Sequence, residues 1–212
     1  MAGVVESDEK VERAILRALR RELNAKLAAI TPAIRQRIQR EVQRLIVSSP
    51  EFISLTSEGG QLRTEFGLEN TNQMQVILDK WISSIAVEVE PVRATKAGLV
   101  GGLRIYGCGL RTFNDVLDDP ASYYVTEKGD KIEFLKWLCL EGDRTIIRRF
   151  DVRPGNRFER VFISRTNSDL MKPSQDGKWA VPAWAAGYKD SNFVTRSLKG
   201  MDVSAIVREA LR

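Results

Sequence analysis

The 212-residue chain is 43% hydrophobic and 29% charged with a formal net charge of +5, a balance that excludes wholesale disorder and gives enough length to bury a sizeable core. It contains no histidine, which removes the usual general base at neutral pH and the commonest neutral metal ligand. Its two cysteines, Cys108 and Cys139, have neither metal-site nor disulfide-framework spacing, and no run approaches the roughly 18 to 20 apolar residues of a membrane span, so a soluble protein of a reducing compartment is expected.

Residues 1 to 8 read as a leader without the basic start and apolar core of a signal peptide. Ser7 is placed to cap a long basic helical stretch from Glu9 to Val47. Val11, Ile15, Leu19, Leu23 and Leu27, then Ile34, Ile38, Val42 and Leu45/Ile46, predict one apolar face, with Arg, Lys and Gln elsewhere. Thr31-Pro32 reads as a cap followed by a first-turn proline, so residues 1–47 are expected to form a helical arm, kinked or turned back as a hairpin.

Ser48-Ser49-Pro50 stops this arm, and Pro50 to Leu55 suits one further helical turn. After the break at Glu58-Gly59-Gly60, Asn70 or Thr71 can cap a helix carrying Val76, Ile77, Trp81, Ile82 and Ile85. From Ala86 the period changes to two: Ala86–Val92 and Leu99–Tyr106, joined through Lys96-Ala97-Gly98, predict an antiparallel hairpin. A short helix over Asn114–Asp119 closes at Pro120, and Tyr123–Thr126 reads as extended.

Asp130 and Glu133 have the spacing of a capping box before Phe134, Leu135, Trp137, Leu138 and Leu140, with Gly142 closing that helix. Thr145–Val152, Arg160–Ser164 and Lys178–Val181 are candidate strands, with Gly177 as the turn before the last. Helices are expected over Ser191–Leu198 and, capped by Asp202, over Val203–Leu211. The reading is a single α+β domain over 1–212, N-terminal long helices packed on a mainly antiparallel β-sheet with additional short helices.

Few residues offer catalytic chemistry. Gly107-Cys108-Gly109 lacks the third glycine of a dinucleotide fingerprint, where Thr112 stands, and reads as a turn. The cysteines have no partner base and read as small buried residues; Asp118-Asp119 before Pro120 reads as a solvated loop. No catalytic, cofactor-binding or metal site is expected. Two arginine-rich clusters, one on the arm including Arg37, Arg40 and Arg44 and one running from Arg144 to Arg165, suit carboxylates as well as phosphates. Trp179, Pro182, Trp184 and Tyr188, followed by Arg196, fit either a plug for the core or anchors in a subunit interface.

Ser49-Pro50-Glu51, Gly60-Gln61-Leu62-Arg63-Thr64-Glu65-Phe66-Gly67-Leu68, Trp179-Ala180-Val181-Pro182 and Asn192-Phe193-Val194-Thr195-Arg196-Ser197-Leu198 resemble segments of the neck or tail-completion proteins of tailed bacteriophages. The resemblance implies a non-enzymatic virion protein made in the host bacterial cytoplasm. It implies a homo-oligomeric ring around the DNA channel, stacked on portal, adaptor, tail-terminator or tail-tube proteins, with non-specific contact to DNA and none to membrane. A ring needs two different surfaces on each subunit, and the basic arm and the aromatic C-terminal segment are the expected pair. On this reading Trp184→Ala or Arg196→Ala weakens assembly more than folding. The alternative is a basic nucleic-acid-binding protein of phage packaging or replication.

Overall fold

The computed structural model describes residues 7–210 except 69, 96–97, 108–109, 126–128, 130, 143, 155–163 and 167–168. It is the mixed helix and strand architecture expected: a long N-terminal helix, antiparallel strand pairs and several short helices. The chain divides into two compact units. One comprises Met1–Arg40, Ile85–Gly107 and Asp202–Arg212; the other comprises Glu41–Ser84 and Cys108–Met201.

In the first unit, α1 (Asp8–Val47, of which Asp8–Arg40 belong here) is one continuous helix, so the hairpin alternative is excluded. Pro32 lies inside it, where a proline forfeits one backbone hydrogen bond and costs about 3 kcal/mol. The Thr31 hydroxyl donates to the Leu27 carbonyl at 2.6 Å, a local bond of the side chain to its own helix instead of a cap. Complete burial of Ile34 and near-complete burial of Ile38 just beyond the proline offset the penalty.

The expected single apolar face does not hold along the whole arm. Ile34 and Ile38 are buried, but Val11, Ile15, Leu19 and Leu23 are 42, 53, 44 and 40% exposed. Residues four apart advance by about 40° beyond a full turn. A strict four-residue repeat therefore winds around the helix, and its early members leave the side that packs.

β1 (Ala86–Thr95) and β2 (Gly98–Tyr106) pair antiparallel as anticipated, with a register shift between Glu90 and Arg93 around Pro91. Proline has no ladder donor, and a bulge accommodates it. A β-carbon on Gly101 would lie 2.6 Å from the Val92 Cα, so only glycine fits opposite the bulge. Asn24 of α1 supplies the missing pairing: Val92 N–H donates to its Oδ1 at 2.7 Å and its Nδ2 donates to the Val92 carbonyl at 3.2 Å. Arg104 and Glu90 form an ion pair across the strands. Helix α8 (Val203–Ala210) is capped by Asp202, whose Oδ1 accepts from Ala205 N–H at 2.9 Å.

The second unit is built around Phe66. Its ring lies 6.0 Å from Phe134, 6.3 Å from Trp137 and 5.5 Å from Trp179, the last edge-on at 86°. Helix α2 (Pro50–Thr56) is capped by Ser49, which accepts from Phe52 N–H at 3.2 Å. Helix α3 (Gln61–Phe66), which the sequence reading omitted, ends at the left-handed Gly67. Helix α4 (Asn72–Ser83) buries Met74, Ile77, Leu78 and Trp81 and leaves Val76 exposed. Asn70 Oδ1 accepts from Asn72 N–H at its start.

Helix α5 runs over Leu110–Leu117, earlier than the expected Asn114–Asp119. Asp119 caps a 3-10 turn at Pro120–Ser122 and pairs with Lys80, which gives it a structural role. Strands β3 (Tyr124–Val125) and β4 (Lys131–Ile132) pair with each other. Lys131 and Ile132 are thus strand residues, and α6 (Phe134–Cys139) starts at Glu133 without a side-chain cap; the expected capping box does not stand, and Asp130 is outside the described residues. β5 (Thr145–Pro154), β6 (Ser164–Thr166) and β7 (Asp169–Ala180) form a sheet in the order β5-β7-β6, all antiparallel. Gly177 lies within β7 and does not precede it as a turn; the β5–β7 register shifts there, from Arg148 opposite Lys178 to Phe150 opposite Pro173. Most of the expected strand Arg160–Ser164 lies outside the described residues, as do Cys108 and Gly109.

Candidate partner-binding surface

The chain after β7 forms a loop, Val181 to Ser191, followed by α7 (Phe193–Leu198). Asn192 starts α7 with a reciprocal cap: its Oδ1 accepts from Thr195 N–H at 3.1 Å, and its own N–H donates to Thr195 Oγ1 at 2.9 Å. The buried Asn192 side chain also donates through Nδ2 to the carbonyls of Tyr188 at 3.2 Å and of Cys139 at 3.5 Å, tying loop and helix to the end of α6.

Two glycines allow that approach. A β-carbon on Gly187 would sit 1.7 Å from the Leu138 carbonyl oxygen, and one on Gly142 would sit 2.4 Å from Gly187 N. Gly142 N–H donates to the Gly187 carbonyl at 3.0 Å. Pro182 is half-buried and its carbonyl accepts from both Ala185 and Ala186 N–H at 2.9 Å, turning the loop, while Tyr188 and Ser191 exchange a bridge at its far end.

Arg196 locks the loop from the other side. Its Nη2 donates to Glu51 Oε1 at 2.6 Å, and its Nη1 donates to the carbonyls of Ala186 at 3.1 Å and Ser191 at 3.2 Å. The Glu51 side chain is 6% exposed and that of Arg196 34%, so the pair is a largely desolvated, charge-assisted one. Trp179, at the loop's base, is buried edge-on against Phe66 and donates Nε1–H to Glu65 Oε2 at 3.1 Å. Burial pushes the Glu65 carboxyl above its ordinary range, against the opposing pull of the Gln61 and Trp179 donors.

The expected interface residues therefore separate by role. Trp179 and Arg196 are parts of the fold; Trp184 and Tyr188, at 44 and 48% exposed, are presented on a loop with a locked backbone. On α1, Arg37 is exposed beside Glu209 of α8 at 3.8 Å. Arg40 donates to Gln36, and Arg44 makes a two-bond pair with Glu41 at 2.6 and 2.9 Å, which holds the Glu41 carboxyl below its usual range. Arg144 of the second cluster pairs with Glu141 at 2.7 Å. The side chains of the rest of that cluster are outside the described residues.

Cys139 is fully buried, and burial pushes its thiol well above the ordinary range, which suits a small packing residue and opposes thiolate chemistry. Among the described residues no three His, Cys, Asp or Glu side chains come together as metal ligands, and no helix is long and apolar enough to cross a membrane.

The sequence reading missed Glu51, Asn192, Gly142 and Gly187 as the residues that hold this surface. Asn192 followed by Thr195 carried a local capping signal. Glu51 carried none, because its partner lies 145 residues away. Compared with protein-family models, with curated proteins and with solved structures, the chain matches none.

Proposed function

We propose that this chain is a non-enzymatic structural subunit of the head-to-tail junction of a tailed bacteriophage. In that role it assembles as a ring around the DNA channel and meets portal, adaptor, tail-terminator or tail-tube proteins. The observation that supports an assembly role is the rigid display of Trp184 and Tyr188. Both rings are half in solvent, on a loop held by Arg196, Asn192 and the Gly142–Gly187 contact. Aromatic anchors whose backbone is already ordered lose little entropy on binding, and Trp and Tyr are the residues that dominate interface energetics. The phage assignment rests on the resemblance of Ser49-Pro50-Glu51, Gly60–Leu68, Trp179–Pro182 and Asn192–Leu198 to neck and tail-completion proteins. Residence in the virion and synthesis in the bacterial cytoplasm belong to the same reading. The chemistry is consistent with it: histidine is absent from the sequence and the Cys139 thiol is buried, which raises its pKa and disfavours the thiolate.

The test is light scattering and negative-stain imaging of the purified chain, alone and mixed with phage portal or tail components. Rings, or recruitment of monomer onto a portal or tail end, are expected. Trp184→Ala should weaken that association at least tenfold, about 1.4 kcal/mol, while moving folding stability by less than about 1 kcal/mol. Unchanged assembly would remove the loop from the interface.

The exposed Arg17, Arg20 and Arg21 of α1 favour a second reading, non-specific binding of nucleic acid. A DNA affinity that falls steeply with salt, from a chain that ignores portal and tail, would select it.

A further inference from the structure

The basic residues of α1 divide into two kinds. Lys26, Arg37 and Arg44 each face an acid: Glu22 at 3.3 Å, Glu209 at 3.8 Å and Glu41 at 2.6 Å. Lys10, Arg17, Arg20 and Arg21 have no ion pair among the described residues, and Arg13 has only the exposed Glu9, at 2.8 Å. At about 100° per residue, Lys10, Arg13, Ala14, Arg20 and Arg21 all fall within about 60° of Arg17, and all six are exposed. The acids of this part of the helix lie elsewhere. Glu9 sits at the border of the face, about 80° from Arg17; Glu12 and Glu22 lie about 140° to either side, and Asp8 is diametrically opposite. The face therefore carries five cations and one methyl group over about 17 Å of helix. Asn24, which also lies on it, is taken by Val92 of β1, and the neighbouring Arg93 is exposed with no ion pair among the described residues.

We infer that this face of α1 is a contact for the phosphate backbone of duplex DNA. Arg13, Arg17, Arg20 and Arg21 repel one another at three- and four-residue spacing, and apart from Glu9 no acid offsets them among the described residues. A protein partner is disfavoured by what the face lacks. Interfaces between proteins bury an apolar core with aromatic anchors, and this face offers only Ala14. What it can gain is neutralisation of charge with release of counterions. Duplex DNA carries one charge per about 1.7 Å of axis, so about ten phosphates lie along 17 Å, and guanidinium groups bind them in two-bond pairs. The exposed Arg13–Glu9 pair is of the surface kind that contributes little, so a phosphate can displace Glu9. The contact reads charge and not base sequence. This inference rests on the DNA contact that both readings above include, and it assigns that contact to the Arg17 face of α1.

The experiment is fluorescence anisotropy of a labelled mixed-sequence duplex of about 20 base pairs, titrated with the full chain at about 50 to 200 mM salt. Four to five phosphate contacts give a slope of log affinity on log salt of about −4, so binding should weaken roughly 250-fold across that range. Arg17→Gln, Arg20→Gln and Arg21→Gln together should bring the slope to about −1. They should also weaken binding at the lowest salt at least tenfold, with an unchanged circular dichroism spectrum, because all three side chains are exposed. The matched set Lys26→Gln, Arg37→Gln and Arg44→Gln removes the same formal charge from ion-paired positions and should leave the slope within about one unit of the unsubstituted chain. Equal effects of the two sets would reduce the binding to net charge and overturn the inference, as would a chain that does not bind duplex at the lowest salt. Poly-glutamate that displaces the labelled duplex as well as unlabelled duplex of equal total charge would also overturn it and assign the face to an acidic protein. Recruitment to portal or tail components is read in its own assay on the unsubstituted chain. Its absence removes the junction reading and leaves the DNA contact, and loss of the DNA contact leaves recruitment through Trp184 untouched.

Discussion

Arg196→Ala tests whether the C-terminal loop is held by the ion pair to Glu51. The substitution leaves a carboxylate only 6% exposed without its counter-charge and removes donors from the carbonyls of Ala186 and Ser191. Breaking a buried pair from one side costs about 3–5 kcal/mol. Because 34% of the Arg196 side chain is exposed, water can partly replace it, which reduces the expected loss to about 2–3 kcal/mol. All four tryptophans, at 81, 137, 179 and 184, lie in the second unit, so tryptophan fluorescence during urea unfolding reports that unit specifically. The urea midpoint should fall with an unchanged slope, and the melting temperature should drop by about 5–10 °C. Glu51→Gln combined with Arg196→Met should recover much of the loss, since the charge and its partner are then removed together. A deficit for Arg196→Ala below about 0.5 kcal/mol, the range of an ordinary surface position, would refute the lock. It would return Arg196 to the role of a partner contact.

Three further outcomes follow from the same geometry. Gly187→Ala forces a β-carbon onto the Leu138 carbonyl and should cost more than about 3 kcal/mol, measured by the same fluorescence titration. Glu65 has its folded pKa raised by burial. Its contribution is therefore fully present below the ordinary glutamate range and is lost as pH rises through the raised value. Glu65→Gln keeps an acceptor for Trp179 and should flatten that pH dependence, with a gain at pH 7 of some tenths of a kcal/mol, since the group is partly solvated; an unchanged pH profile would contradict the shift. Ile38→Ala should cost about 2–4 kcal/mol as a cavity, whereas Ile15→Ala, in the same sequence pattern, should change the monomer by less than about 0.5 kcal/mol. Equal effects in a thermal melt would contradict the division of α1 into a packed and an open half.

What the sequence determined by itself is local. The change of period at Ala86 marked the β1–β2 hairpin, Ser49-Pro50 marked the start of α2, Asp202 capped α8, and the apolar spacing of α4 placed Ile77 and Trp81 inside. Each signal lies within a few residues of the structure it specifies. The phage resemblance came from sequence too, and it remains the ground for the proposed function. Tertiary structure decided the rest. It carried α1 through Pro32, because burial of Ile34 and Ile38 outweighs one lost hydrogen bond. It turned Lys131 and Ile132 from a helix start into strand β4, because β3 supplied a pairing that a capping box does not. It separated three aromatics and one arginine that the sequence grouped together, burying Trp179, committing Arg196 to Glu51 and leaving Trp184 and Tyr188 outside. No periodicity encodes that division: whether a side chain is core or surface at this loop depends on Phe66, Glu51 and Leu138, residues far away in the chain that only the folded backbone brings alongside.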